Sequence, residues 1–93
     1  MSKTNKLLSL RIKIDLLDTK LIHILSRRIK LVSEVARYKK VHNIKPLDKN
    51  RWKEVLKTRK SIGKSLGVSP NFIKDIFERI HTESLKTEDK IVK

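Results

Sequence analysis

The chain contains no cysteine, and only two glycines and two prolines occur among its 93 residues. Without cysteine there is no disulfide framework, no thiolate metal site and no cysteine nucleophile. Two glycines are too few for a phosphate-binding loop of the Walker or dinucleotide type. These absences exclude several classes of enzyme and binding protein, and they are compatible with a reducing compartment.

Long apolar runs are also missing. No window approaches the roughly 20 apolar residues that a membrane-spanning helix requires, and the N-terminus lacks an apolar stretch of signal-peptide length. We therefore expect a cytoplasmic protein. The three histidines, His23, His42 and His81, have no metal-ligand spacing and are expected on the surface. Neither a metal site nor a cofactor is predicted.

Acidic residues are few, because ten Asp and Glu stand against twenty-four Lys and Arg and leave a formal net charge of +14. Such a charge attracts polyanions and small anionic substrates alike. The basic residues are spread along the whole chain, and the aromatic residues are too scattered to form a base-stacking platform. We expect no nucleic-acid partner, and a non-catalytic basic helical binding protein stays as an alternative.

The apolar residues of the N-terminal half recur in alternating steps of four and three, which is typical of a heptad seam on one long helix. The seam consists of Leu10, Ile14, Leu17, Leu21, Ile24, Leu31, Val35 and Tyr38. Pro46 should end this helix at about residues 41–45. A helix of about 35 residues is roughly 50 Å long, whereas a domain of this size has a radius of gyration of about 12 Å. One chain cannot cover it, so we predict a symmetric dimer along the seam.

Two shorter helices should follow the long one. Asp48 is well placed to cap the second helix, and Gly67 to close it. Ser69 and Pro70 have the pattern of an N-cap and a first helical residue. We therefore predict an all-α fold with three helices, at roughly 6–42, 49–66 and 70–89, in a single domain that spans residues 1–93.

Several polar side chains interrupt the apolar stripes. Arg28 occupies a seam position of the first helix, and burying an unpaired guanidinium costs on the order of several kcal/mol. Either a bound anion or a structural salt bridge should therefore meet it. Lys39 lies three turns further along the same stripe. On the third helix, Ser84 and Glu88 extend the inward-facing stripe in steps of four, although each could be only a packing or surface residue.

Five segments occur together in a specific order and spacing. They are Leu10–Asp15, Arg27–Arg28, Glu34–Lys40, Asp48–Arg51 and Glu83–Ser84. This order resembles that of the all-helical chorismate mutases over nearly the whole chain. Members of that family have three helices per chain and form an entwined six-helix homodimer. The resemblance implies an enzyme that rearranges chorismate to prephenate in aromatic amino-acid biosynthesis, with no metal or cofactor.

The resemblance also implies roles for the polar residues. Arg28, together with Arg11 of the partner subunit, would clamp the substrate carboxylates, a task that suits the planar guanidinium. Lys39 would donate a hydrogen bond to the ether oxygen, where negative charge grows as the carbon–oxygen bond breaks. Further substrate contacts are expected from Asp48, Arg51 and Ser84.

Two residues of the implied site depart from the family pattern. Trp52 stands where the family usually has a glutamate that engages the ring hydroxyl. It is either a core aromatic, with the hydroxyl met by Asp48 or water, or it marks a changed ring substituent. Glu88 stands where bacterial relatives often have a glutamine that donates to the ether oxygen. We predict that Lys39, Arg28 and Glu88 are the catalytic residues. Since an ionised carboxylate cannot donate a hydrogen bond, Glu88 should assist catalysis only when it is protonated.

Two alternatives share the same fold. Relatives that split isochorismate into salicylate and pyruvate can be apolar at the position of Trp52, so an isochorismate pyruvate lyase is the second candidate. A protein that keeps the mutase fold without activity, and acts as a regulatory or assembly partner, is the third.

Overall fold

The computed structural model describes residues 3–45 and 48–92, which are almost entirely helical. The helices are α1 (Lys3–Val41), α2 (Lys49–Ser65) and α3 (Pro70–Val92). No strand occurs in the described residues, so the predicted all-α class with three helices is confirmed. Helix α1 begins earlier and α3 ends later than predicted. None of these helices has an apolar stretch long enough to cross a membrane.

By its packing the chain divides into two units. The first ends at Leu31 and the second begins at Val32. The described part of the first unit is a single helical segment whose apolar side chains face solvent. Leu10 is 44% exposed, Leu17 is 62% exposed and Leu21 is 54% exposed. The described residues of this unit therefore form no core among themselves.

The second unit contains the C-terminal turns of α1 together with α2 and α3, and α2 packs against α3. Its core includes Ala36 from α1 and Val55 from α2, both buried. Gly63 is buried where α2 meets α3. A Cβ atom at Gly63 would lie only 2.5 Å from Cγ1 of Ile73, so the two helices approach closely because this residue has no side chain.

Helix α1 ends in a Schellman motif. The N–H of Ile44 donates to the carbonyl of Lys39 at 2.8 Å, and the N–H of Asn43 donates to the carbonyl of Lys40 at 3.4 Å. Asn43 has a φ of 55°, a left-handed conformation that asparagine adopts more readily than most residues. Helix α1 thus ends at Val41, the first residue of the interval 41–45 in which its end was predicted. Pro46, on which that prediction rested, lies outside the described residues.

The predicted caps of α2 and α3 are confirmed. Asp48 accepts a hydrogen bond from the N–H of Arg51 at 3.0 Å, and Gly67 follows α2 with a φ of 79°. The hydroxyl of Ser69 accepts a hydrogen bond from the N–H of Phe72 at 3.4 Å, ahead of Pro70 as the first residue of α3. These caps satisfy backbone groups that a helix end leaves without partners.

Replacing Gly63 with alanine should destabilise the protein. Crowding against Ile73 costs about 1–3 kcal/mol, which exceeds the roughly 1 kcal/mol that alanine gains over glycine in a helix. Urea unfolding should therefore show a net loss of about 1 kcal/mol. In an Ile73→Ala background the same change should become neutral or stabilising, whereas Gly67→Ala should destabilise in both backgrounds because of its positive φ. If Gly63→Ala lowered the free energy of unfolding equally in both backgrounds, this result would contradict the close approach of Gly63 to Ile73.

Candidate active site

An open cleft of about 480 Å³ lies between the end of α1 and the start of α2. This volume is in the range of small-molecule sites. Its described lining consists of Lys39, Ile44, Lys45, Asp48, Lys49 and Asn50. Two of the predicted site residues, Lys39 and Asp48, are in this set. Three lysines against one carboxylate give the cleft a positive charge, which suits an anionic ligand.

Lys39 and Glu88, two of the residues predicted to be catalytic, are brought together. Nζ of Lys39 lies 3.7 Å from Oε1 of Glu88, and the two side chains are 19% and 11% exposed. At this distance the contact is an ion pair rather than a hydrogen bond. Because both groups are largely removed from water, salt screens their attraction less than it screens a surface pair. The cleft therefore has a cation at one side whose charge is already matched by a carboxylate of α3.

A second contact between α1 and α3 lies next to this pair. Nζ of Lys40 donates a hydrogen bond to the backbone carbonyl of Ile91 at 3.2 Å. That carbonyl lies near the end of α3 as the structure describes it. The contact thus ties the ends of the two helices and helps to hold Glu88 opposite Lys39.

The first turn of α2 carries Asp48 and Arg51. Asp48 uses its carboxylate as the N-cap, and the guanidinium of Arg51 lies 2.8 Å from Oε1 of Glu54. Both partners of this ion pair are more than half exposed, so the pair stabilises the protein little and can open when an anion competes for the arginine. Glu54 was not among the predicted site residues, although its spacing of three residues from Arg51 on a helix is a recognisable signal.

Trp52 packs against His81, a residue that was expected on the surface. Its indole stacks on the imidazole of His81, with ring centroids 3.9 Å apart and planes inclined by 11°. Both side chains are half-buried. His81 precedes Ser84 by three residues and Glu88 by seven, and this spacing could have indicated a shared face of α3.

The predicted site residues are distributed over the two units. Arg11 and Arg28 belong to the first unit, where Arg11 is exposed and Arg28 is half-buried. The second unit carries the other six, which are Lys39, Asp48, Arg51, Trp52, Ser84 and Glu88. Within the described residues, no three His, Asp or Glu side chains form a group that could hold a metal ion.

The whole site lies inside a segment that matches a known family. The model of the family described as chorismate mutase type II matches residues 10–89, a range that includes every predicted site residue from Arg11 to Glu88. This chain belongs to the chorismate mutase type II family. The resemblance inferred from the order of the sequence segments is thereby confirmed.

Relatives of known name agree with this membership. The chain is 32% identical over 84 residues to the T-protein of Enterobacter agglomerans, covering 90% of this chain and 22% of that protein. It is 33% identical over 93 residues to the bifunctional chorismate mutase/prephenate dehydratase of Buchnera aphidicola subsp. Schizaphis graminum, covering 99% of this chain and 24% of that protein. The chain thus spans about a quarter of the length of these two relatives.

A more distant relative has a different name. The 4-amino-4-deoxychorismate mutase of Streptomyces pristinaespiralis is 24% identical over 87 residues, which cover 94% of this chain and 67% of that protein. By its name, this relative acts on a molecule with an amino group on the ring.

Proposed function

We propose that this chain is a chorismate mutase, an isomerase that rearranges chorismate to prephenate. The observation that carries the proposal is the ion pair of Lys39 and Glu88 beside a positively charged cleft, within a chain of this family. The reaction breaks a carbon–oxygen bond and forms a carbon–carbon bond in one molecule, without a covalent intermediate. The protein must therefore hold a flexible dianion in its reactive shape and place positive charge at the developing oxyanion.

Lys39 is the proposed donor to the ether oxygen. Its ammonium group is largely removed from water and lines the cleft. A cation fixed in such surroundings interacts more strongly with growing negative charge than a solvated cation does, and it needs little reorganisation during the reaction. Lys39 would thus stabilise the transition state more than the bound substrate, which is the condition for raising kcat.

The two carboxylates of chorismate need separate partners. We propose that Arg28 and the partner subunit's Arg11 bind them, with Arg51 and Ser84 as further contacts. A guanidinium can form two parallel hydrogen bonds to one carboxylate, and this fixes orientation as well as charge. Arg51 is available for such a role because its present partner, Glu54, is exposed.

The proposed site implies a homodimer, since Arg11 is contributed by the second copy. The uncovered apolar seam of α1 supports this assembly, because each Å² of apolar surface removed from water stabilises an interface by about 25 cal/mol. A second α1 presents the same seam and is the simplest cover for it. We place the enzyme in the cytoplasm.

Loss of Lys39 or Arg28 should abolish most of the activity. Conversion of chorismate should be followed at about pH 5 and pH 7.5 with identification of the products. Lys39→Ala and Arg28→Ala should each lower kcat/KM roughly 100- to 1000-fold. Lys57→Ala, which removes an exposed lysine of α2, should have little effect. A folded wild-type protein that forms no prephenate would contradict the proposal, and salicylate and pyruvate from isochorismate would identify a lyase instead.

Activity should decrease with rising pH, because Glu88 is proposed to assist the reaction only in its protonated form. A protonated carboxyl can donate a hydrogen bond to the ether oxygen, whereas an ionised carboxylate only accepts and also brings negative charge beside the oxyanion. Glu88→Gln supplies a donor at every pH, so its profile should be flat. Glu78→Gln, at an exposed position of α3, should keep the wild-type profile. If the activity of the wild type did not change between about pH 4 and pH 8 and Glu88→Gln stayed active, catalysis would not depend on a protonated Glu88.

A lysine in the seam should prevent dimerisation. Leu21 is 54% exposed in the single chain, and its substitution by lysine would bury a charge without a partner in the proposed interface. Sedimentation should give a dimer for the wild type and a monomer for Leu21→Lys. The matched control is His23→Lys, which adds the same charge on the opposite face of α1. A wild-type protein that is monomeric at all accessible concentrations would argue against the dimer.

A further inference from the structure

All five lysines of α2 lie on one face of this helix. At 100° per residue they fall within an arc of about 80°, and no other residue of α2 lies in that arc. We call this set the lysine row, and it consists of Lys49, Lys53, Lys57, Lys60 and Lys64. Lys60 is half-buried and the other four are exposed. The helix thus collects lysines that are separate in the sequence into one line of positive charge, about 22 Å long.

The charges of the lysine row are not matched inside the protein. In the described part of the chain, no carboxylate forms an ion pair with any of these five ammonium groups. Helix α3 differs, because Lys74 pairs with Glu78 at 3.7 Å and Lys86 pairs with Glu83 at 3.3 Å. Like charges three or four residues apart on a helix repel each other. An external anion of matching length would relieve this repulsion along α2.

The composition of the arc limits the kind of partner. It contains no apolar or aromatic residue, so the affinity has to come from charge alone. Ion pairs between exposed side chains of two proteins contribute little. A double-stranded nucleic acid differs, because it carries condensed counterions whose release supplies the affinity for bound lysines. About six phosphates of each strand lie along roughly 22 Å of a duplex, which is sufficient for five lysines.

We infer that the lysine row binds the phosphate backbone of a double-stranded nucleic acid, independently of the base sequence. A lysine is a point charge on a flexible stem and can follow phosphates that do not lie on a straight line. Phosphate contacts position a protein on a duplex but carry no sequence information. This inference does not rest on the proposed mutase function. It departs from the expectation of no nucleic-acid partner, which considered the basic residues along the sequence and not around a helix.

The test compares two variants that lose the same charge. The row variant carries three substitutions at exposed positions of α2, which are Lys53→Gln, Lys57→Gln and Lys64→Gln. The control variant carries three at exposed positions of α3, which are Lys74→Gln, Lys86→Gln and Lys90→Gln. Binding of a fluorescent DNA duplex of about 20 base pairs is measured by anisotropy between about 50 and 200 mM salt. Circular dichroism checks the helix content of each protein.

The expected result is a difference in salt dependence between the two variants. For the wild type, the logarithm of the association constant should fall with the logarithm of the salt concentration with a slope of about −4.5. The row variant should have a slope of about −2 and bind at least about tenfold more weakly at low salt, whereas the control variant should keep a slope close to that of the wild type. Lys57→Gln alone should reduce the slope by about one. Two duplexes of unrelated sequence should give the same values.

Three outcomes would overturn the inference. If both triple variants lost the same affinity and slope, net charge alone would attract the duplex and the row would have no role. A wild-type protein that does not bind the duplex at about 50 mM salt would exclude a nucleic-acid site on this face. If polyglutamate bound as tightly as the duplex and depended equally on the row, the partner would be an acidic protein. Chorismate conversion by the row variant should equal that of the wild type, so these outcomes are independent of the proposed enzyme activity.

Discussion

The charge on Lys39 is the constraint on which the arrangement of the second unit depends. An ammonium group that is largely removed from water needs an anion nearby, because an unpaired charge there costs on the order of several kcal/mol. Glu88 meets this need in the free protein at 3.7 Å. In the proposed reaction the ether oxygen would meet it as its negative charge grows. Substrate and Glu88 therefore compete for one cation, which is why the protonation of Glu88 matters to the proposed mechanism.

Two helix ends give Lys39 its surroundings. Asn43 ends α1 shortly after Lys39, and Asp48 caps α2 five residues later, and the cleft is lined by residues on both sides of these two helix ends. Both residues have short polar side chains that satisfy or tolerate local backbone geometry. The contact of Lys40 with the last turn of α3 then keeps Glu88 in reach. The site is thus built by capping interactions as much as by the apolar core.

Local features of the sequence were sufficient to predict the three helices and the caps of α2 and α3. Asp48, Gly67 and Ser69 were predictable as caps, because a cap depends only on residues within one turn. The inward positions of Lys39 and Glu88 followed from helical periodicity. Their mutual contact did not, since an angle on one helix does not specify which residue of another helix lies opposite.

The stack of Trp52 on His81 is another contact between helices that the periodicity of a single helix does not predict. It depends on how far α2 is shifted along α3, and this offset is set by packing such as the close approach of Gly63 to Ile73. No pattern within either helix encodes the offset, so His81 could be assigned to a face but not to a partner. Trp52 and His81 therefore have to be interpreted together, because each is half-buried and the two rings are stacked.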